Sequence, residues 1–437
     1  MPQTDTCFAP PPAHRLEAES NALAIYSGHW IGFHGHWLIL AYPDWVETTP
    51  TSLIKRLYQK QPIVAPQQNA SWFPLDEGIL YGIAPYETGI AYNWRQLNTT
   101  IPSNLPFYTA FTREAAIIDA RGTIVERWGQ HPEFMQLLDH VVDTLTKSAP
   151  SPRPHTLFHC SDFTPDWSYR AYSSAFERAM QYIQAGDCYQ VNLAQRFQAH
   201  FSGSSLAAFF RLMQPSPPPY AGYLQTPAAT ILSCSPEHFI SCNDKHLRTD
   251  PIKGTRPRHN DPATDAQLRH ELISSTKDKA ENVMIVDLLR NDLGRLAVPG
   301  SVCVPELFRL ESFQNVHHLV STVEARLRPS IHPMQALLSC LPGGSITGAP
   351  KKRAIEIIAE LEGSHRESYC GSQFLASPTQ LVSNITIRTL QLEGNTLTLW
   401  GGGGIVADSE CRAEYNESLI KINHIATALG STPIPLR

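Results

Sequence analysis

A lysine set between a proline and a glycine is the sharpest chemical feature of the chain. In Pro251-Ile252-Lys253-Gly254-Thr255 the proline restricts the backbone on one side and the glycine frees it on the other. Arg256 and Arg258 follow. Positive charge beside an amine disfavours its ammonium form and frees a nucleophile. An ordinary lysine, with a pKa of about 10.4, is neutral in only ~0.04% of molecules at pH 7, so such help is needed. The competing reading of the same residue is a solvated surface charge.

Two pairs of acids carry a second kind of chemistry. Asp278 and Glu281 stand three apart, as do Glu414 and Glu417, so on helices each pair shares a face. Two such helices meeting would aim four carboxylates into one space, where like charges persist only if protonated or bridged by a cation. Carboxylate oxygens with water and an anionic substrate are the donor set of Mg2+. Two solvated helix faces, paired with Lys277 and Lys421, are the plainer alternative.

Two glycine-rich stretches read as turns. In GGSITGAPKK the spacing of Gly343 and Gly348 imitates a phosphate loop, but Ala349 and Pro350 stand where lysine and Ser/Thr are required. A nucleotide site is therefore excluded, and a helix N-terminus able to hold a carboxylate remains. Gly402, Gly403 and Gly404 would let backbone amides approach a ligand, or would make a tight strand-to-turn crossing. Arg388, read as part of a strand in ITIRTL, points its fork into a pocket or to solvent.

Helices must position these groups. Tyr172, Phe176, Met180 and Ile183 mark one over about 168–185, stopped by Gly186. Further helices are expected over about 278–292 and 411–429, and one with Thr347 before it and Pro350 in its first turn. GDCYQVNLAQRF and ATILSCSPEHFISC read as strands, as do short runs between about 23 and 145. Strands and helices in mixed order with many hairpin signals favour an α+β fold with antiparallel sheets. His29, His34 and His36 lie beside Trp30 and Trp37, and alternation along a strand accounts for them without a metal.

The 437 residues carry a net charge of -5, with no long basic run, which leaves no electrostatic footprint for nucleic acid. Nine cysteines without a CxxC pair indicate neither a disulfide framework nor zinc. The N-terminus lacks a basic start and apolar core, so a cytoplasmic protein is expected.

These stretches then fall into the order of one family. GDCYQVNLAQRF, SPEHF, PIKGT, KDKAENVMIVDLLRNDLGR, VHHLVS, PGGSITGAPKKRA, SNITIRTL, GGGIVADS and AEYNES resemble, in sequence, the chorismate-utilising enzymes. The likeness is dense over about 165–425 and weak in the N-terminal third. It implies large antiparallel sheets flanked by helices, an anthranilate synthase component I-like sandwich. It further implies an N-terminal subdomain over 1–146 corresponding to the family's regulatory region, a linker at 147–155, and a chorismate-binding catalytic domain over 156–437.

Two positions choose a branch of that family. Anthranilate synthases carry alanine where Lys253 stands, and water-adding isochorismate and salicylate synthases carry a lysine base where Gln190 stands. The resemblance therefore implies Mg2+-dependent amination of chorismate at ring carbon 4, the enolpyruvyl group being kept. It implies that Lys253 adds at carbon 2, that Glu237 protonates the departing hydroxyl, and that His318 lies beside the ring. Glu281 and Glu417 match direct metal ligands, with Asp278 and Glu414 ligating through water. Gln190, Ser345, Gly348, Arg388, Gly402, Gly403, Gly404 and Lys421 match positions around the substrate.

The chain departs from the family at Tyr369-Cys370-Gly371-Ser372-Gln373-Phe374-Leu375, where Phe374 falls at a tyrosine, and at Leu381-Val382-Ser383. A substrate hydrogen bond missing at Phe374 would cost about 1 kcal/mol. The family's serine-arginine-phenylalanine stretch around bound tryptophan is absent, with Ile31-Gly32-Phe33 nearby. No glutaminase segment or pyridoxal phosphate lyase domain is read, so ammonia is expected from solution or from a separate glutamine amidotransferase subunit. The competing readings are an anthranilate synthase component I, and a chorismate-binding subunit without catalysis motivated by the 373–383 stretch.

Overall fold

The computed structural model describes residues 23–28, 33–59, 78–94, 104–147, 157–214, 217–312, 316–377 and 379–437. The loose start, His29, Ile31-Gly32 and all of the 147–155 linker except Lys147 lie outside the described residues. The first third forms β1 (Ala24–Gly28), β2 (Phe33–Ala41), β3 (Trp45–Glu47), α1 (Pro50–Gln59), β4 (Ile79–Ala84), α2 (Tyr86–Asn93), β5 (Tyr108–Thr112), β6 (Glu114–Asp119), β7 (Ile124–Trp128) and α3 (Phe134–Lys147). Then follow β8 (Phe158–Cys160), β9 (Thr164–Pro165), α4 (Tyr169–Gln184), β10 (Gln190–Gly203), α5 (Ser205–Leu212), β11 (Tyr220–Gln225), β12 (Thr230–Ser235), β13 (His238–Asn243), β14 (His246–Thr249) and β15 (Ile252–Pro257). The remainder is α6 (Pro262–Ser274), α7 (Thr276–Gly294), β16 (Cys303–Ser312), β17 (Val316–Arg326), α8 (Pro333–Cys340), β18 (Gly348–Ala349), α9 (Lys351–Glu362), β19 (Ser372–Ala376), β20 (Gln380–Asn384), β21 (Thr389–Glu393), β22 (Thr396–Ile405) and α10 (Cys411–Ala428).

Two antiparallel sheets organise these elements. One runs β18-β10-β22-β21-β12-β11-β1-β2-β6-β7, with β8 and β9 also on β10. The other runs β15-β17-β14-β13-β20-β19-β4-β5-β3, with β16 also on β17. Strands of the first third join both, since β1 pairs with β11 and β4 with β19.

Side-chain alternation decides how the sheets stack. Along β2, Leu38 and Leu40 enter a core that also takes Tyr26 from β1 and Tyr81 and Ile83 from β4, so this core lies between the sheets. Trp37, Ile39 and Ala41 point the other way, against Phe134 and Leu138 of α3 and Phe209 and Phe210 of α5. A third core sits under the second sheet, where Ile285, Val286 and Leu289 of α7 meet Leu337 and Leu338 of α8. The order is helices, sheet, sheet, helices, the sandwich expected from the family resemblance.

The periodic helices are close to their expected places. Ser168 caps α4 by accepting from the Ala171 amide, and Gly186 ends it at φ +81°. Leu419, Ile422 and Ile425 are the buried stripe of α10. Two of the places where the chain passes from one sheet to the other bear on the site: between β12 and β13, at Pro236 and Glu237, and between β20 and β21, at 385–388. These crossings lie side by side, because Ser235 Oγ donates to the Ile385 carbonyl (2.6 Å) and the Ile385 amide donates to the Glu237 carbonyl (3.1 Å).

Candidate active site

β14 and β15 lie along β17 as one interrupted strand. Thr249 opposes Val323 and Ile252 opposes Val320 in a single register, but Thr255 opposes His318, one residue out of step. The slip is a β-bulge with Gly254 at φ +85°, and a bulge re-aims the side chain beside it. A Cβ on Gly254 would stand 2.9 Å from Leu272 Cδ1 and 3.0 Å from Asp278 Cβ, so glycine is also what lets the turn pass beneath α6 and α7.

Lys253, the re-aimed residue, is surrounded by protein and only partly exposed. Burial lowers its pKa, Lys421 adds to the effect, and Glu237, Glu281 and Glu417 oppose it. The sequence-based expectation assigned that lowering to burial, a metal ion and the two arginines, and the structure supports burial but not the arginines. Arg256 is paired with Asp278 and Arg258 with Asp265, each at 3.0 Å, so both charges are matched locally.

Glu237 and Arg388 come from the two sheet crossings. Burial pushes the Glu237 carboxyl up, against a hydrogen bond from Ser345 Oγ (2.9 Å) and the charges of Lys253, Arg388 and Lys421. Arg388 was expected within a strand. It lies instead in the break between β20 and β21 at φ +51°, its carbonyl accepting from the Cys234 amide at 3.0 Å. The chain must turn there to change sheets. His318 faces Thr255 across the strand pair, with Thr255 Oγ1 2.9 Å from its Nδ1. Burial, with Arg388 beside it, lowers its pKa to about 4, so the ring is neutral at pH 7.

Gly402, Gly403 and Gly404, read from sequence as a turn, lie inside β22 and pair with Ala194, Leu193 and Asn192 of β10. The smallness of Gly403 serves the helix above: a Cβ there would stand 3.2 Å from Glu414 Oε2 and 3.8 Å from Lys421 Nζ, whereas one on Gly402 would meet Ala194 Cβ of β10 at 2.7 Å. Lys421 Nζ donates to the Gly402 carbonyl at 3.3 Å and pairs with Glu417 at 2.7 Å. Gln190 opens β10. It is buried, and neither its amide nitrogen nor its amide oxygen has a hydrogen-bond partner among the described residues. Its Nε2 lies 2.9 Å from where a Gly404 Cβ would be. Gly348, at φ +143°, crosses the same strand where a Cβ would meet the Gln190 carbonyl at 2.0 Å. A buried amide without protein partners beside a side-chain-free strand is suited to a polar ligand.

The acid pairs lie three apart on α7 and α10 as expected, and Glu281 of one helix feels the charge of Glu417 on the other. Burial raises the pKa of Glu281, with Lys253 and Lys277 opposing and Asp278 and Glu417 adding. Burial likewise raises Glu414, which accepts from Ser409 Oγ at 2.6 Å and feels Glu417. Asp278 turns to Arg256 and Glu417 to Lys421. Among the described residues, no three Asp, Glu, His or Cys side chains stand close enough together to hold a metal as they are. The donor set nonetheless fits a hard cation, because half-buried carboxylates of like charge, as at Glu281 and Glu414, are what such an ion relieves.

The ion pair of Arg366 with Glu362 was missed from sequence. Arg366 is 1% exposed and forks onto Glu362 at 2.8 and 2.6 Å, while donating to the Ile346 carbonyl (2.8 Å) and the Asn192 carbonyl (3.0 Å). Glu362 also accepts from the Ala194 amide at 2.9 Å. The pair ties β10 to the turn carrying Ser345 and Gly348. No periodicity marks it, since α9 ends at Glu362. Arg366→Leu is expected to cost about 3–5 kcal/mol in urea unfolding, because the Glu362 charge is left buried and unpaired; a loss below ~1 kcal/mol would contradict this role.

The 373–383 stretch is a hairpin, β19 with β20, rather than a loop. Phe374 is fully buried and stacked on Phe107, ring centroids 6.3 Å apart.

Comparison with known proteins identifies the family. Residues 31–427 match the family model described as chorismate binding enzyme. The chain is 51% identical over 255 residues to aminodeoxychorismate synthase component 1 of Salmonella typhimurium, covering 58% of this chain and 56% of that protein. It is 48% identical over 270 residues to the Escherichia coli protein of the same name, covering 62% and 60%. The matched stretch thus spans more than half but less than two thirds of these relatives. The solved structure of anthranilate synthase component I from Streptococcus pneumoniae superposes with a TM-score of 0.70 at 26% identity, over 97% of this chain and 95% of that one. This chain belongs to the chorismate-binding enzyme family.

Proposed function

We propose that the protein is an aminodeoxychorismate synthase component I, replacing the ring-carbon-4 hydroxyl of chorismate with an amine, on the way to p-aminobenzoate and folate. The observation that carries the reading is Lys253. It is an amine freed by burial at a bulge, facing a carboxylic acid, Glu237, whose own burial favours its protonated form. Neither anthranilate synthases, with alanine at this position, nor water-adding enzymes, with a lysine in place of Gln190, share the combination.

In this reading the neutral Lys253 amine bonds to ring carbon 2 as the carbon 4–oxygen bond breaks, and Glu237 gives its proton to the departing hydroxyl, which leaves as water. Ammonia then bonds to carbon 4 and the carbon 2–lysine bond breaks, which restores the ring double bonds and the lysine. Gln190 cannot accept a proton as a base would, so water at carbon 2 is not activated. Arg388 and Lys421, with the side-chain-free strand at Gly402, Gly403 and Gly404, hold one carboxylate of the dianion and fix the ring. His318, neutral and oriented by Thr255, packs beside the ring. Glu281 and Glu417 would hold Mg2+ directly and Asp278 and Glu414 through water. When bound, the ion supplies positive charge to the second substrate carboxylate. The ammonia is taken to come from a separate glutamine amidotransferase subunit.

Incubation with chorismate, Mg2+ and ammonium is expected to give 4-amino-4-deoxychorismate, converted to p-aminobenzoate by added lyase. Anthranilate as the sole product would reverse the reading in favour of an anthranilate synthase. Chorismate binding without turnover would favour a non-catalytic subunit.

A further inference from the structure

We propose that His238 and Asp250 form a positioning pair for this reaction, their hydrogen bond closing the ends of two neighbouring strands so that Glu237 and Lys253 face each other in register. The inference rests on the chorismate-amination reading above. β13 and β14 are joined by backbone pairing from Asn243 and His246 up to Ser241 and Arg248. Beyond that point β13 is irregular, its register against β20 shifting between His238 and Ser241. A side-chain contact takes over where the backbone ladder stops: His238 Nδ1 lies 3.0 Å from Asp250 Oδ2. Glu237 immediately precedes His238. Lys253 lies three residues beyond Asp250, across Pro251, whose ring leaves that connection little freedom.

Both partners are themselves held. Asp250 takes the fork of Arg248, with Nε at 3.1 Å and Nη2 at 2.9 Å from Oδ1, and accepts from Thr322 Oγ1 of β17 at 2.7 Å. His238 is buried, its ring packed on Tyr220 with centroids 5.5 Å apart. The clasp therefore spans the start of β13, which Glu237 precedes, the β14–β15 kink before Lys253, and β17, which carries His318. A displacement of about 1 Å between reacting groups lowers rates about 100-fold, so slack here would be read in turnover. Neither side chain is assigned a contact with substrate.

Two variants test the pair in the full-length protein with chorismate, Mg2+ and ammonium. His238→Phe keeps a ring on Tyr220 and removes the donor, while Asp250→Asn keeps shape and removes the charge. Each is expected to lower kcat by about 10- to 100-fold with KM within about twofold, and the double variant to be no worse than the weaker single one. His238→Asn, which restores a side-chain N–H of similar reach, is expected to return kcat to within about threefold of wild type. As an independent readout, Lys253 is acetylated with acetic anhydride across a pH series and followed by peptide mass spectrometry. The pH of half-labelling is expected to rise towards that of an ordinary lysine in both variants, as water reaches the loosened pocket. Unchanged kcat and labelling pH in folded variants would overturn the proposal, as would a change confined to KM. Should Asp250→Asn fail to fold, His238→Phe carries the same comparison. Wild-type protein that fails to aminate chorismate counts against the amination reading alone, and the labelling series still decides the clasp.

Discussion

Lys253→Ala is expected to lower 4-amination of chorismate by about 1,000-fold or more while the protein still binds chorismate. The proposed first bond is made by its amine. The pH profile gives the loss a signature. The proposed reaction requires Glu237 protonated and Lys253 neutral, so the wild-type profile is expected to be bell-shaped. Burial raises the first pKa and lowers the second, which moves the two working ranges towards each other. With Lys253 gone only the acid remains, and the residual rate should fall as pH rises. With Glu237→Gln only the amine remains, and the residual rate should rise with pH. Intact-mass measurement after acid quench should find a substrate adduct in wild type and none in Lys253→Ala. A near-wild-type rate in the alanine variant would sink the assignment. An adduct found in neither protein would leave Lys253 directing ammonia without itself bonding to the ring.

Removing either carboxylate proposed to hold Mg2+ directly should be nearly as severe. Glu281→Gln and Glu417→Gln are each expected to lower Mg2+-dependent turnover by about 1,000-fold, whereas Asp278→Asn and Glu414→Gln should lose about 10- to 100-fold, the range typical of groups acting through an intervening partner. Calorimetric titration should show Mg2+ affinity falling in the same order. The metal-free fold offers a second readout of opposite sign. Burial and the neighbouring charges of Asp278 and Glu417 penalise the Glu281 carboxylate, so Glu281→Gln should melt at a higher temperature than wild type in EDTA. Full activity in both direct-ligand variants would refute the metal assignment.

Much of the site was legible because its signals are local. The i, i+3 spacing of Asp278 with Glu281 and of Glu414 with Glu417 predicts shared faces, and α7 and α10 present them so. The stripe of Leu419, Ile422 and Ile425 placed α10, and Gly186 marked the end of α4. By contrast α6 went unread although Asp261 caps it and Pro262 opens it, because Leu272 is its one fully buried residue and no apolar stripe announces it. Gly402, Gly403 and Gly404 misled because glycine marks a turn and a crowded strand equally well; only the packing of α10 on β22 distinguishes them. Arg366 and Glu362 carry no pattern, since the contacts that bury them come from β10, far off in the chain.

The sequence by itself determined which chemical groups are available and in what local geometry: a lysine between proline and glycine, paired acids on helix faces, an arginine and a run of glycines. Spacing along a chain fixes such relations because helix and strand periods are short. Only the tertiary structure decided what those groups are worth. Lys253 is shifted by enclosure and by Lys421, while the arginines beside it in sequence are matched by Asp278 and Asp265 on helices packed over it. Glu237 and Arg388 meet because two sheet crossings about 150 residues apart are hydrogen-bonded side by side. Desolvation and charge pairing depend on neighbours in space, and those neighbours come from elements that no local pattern connects.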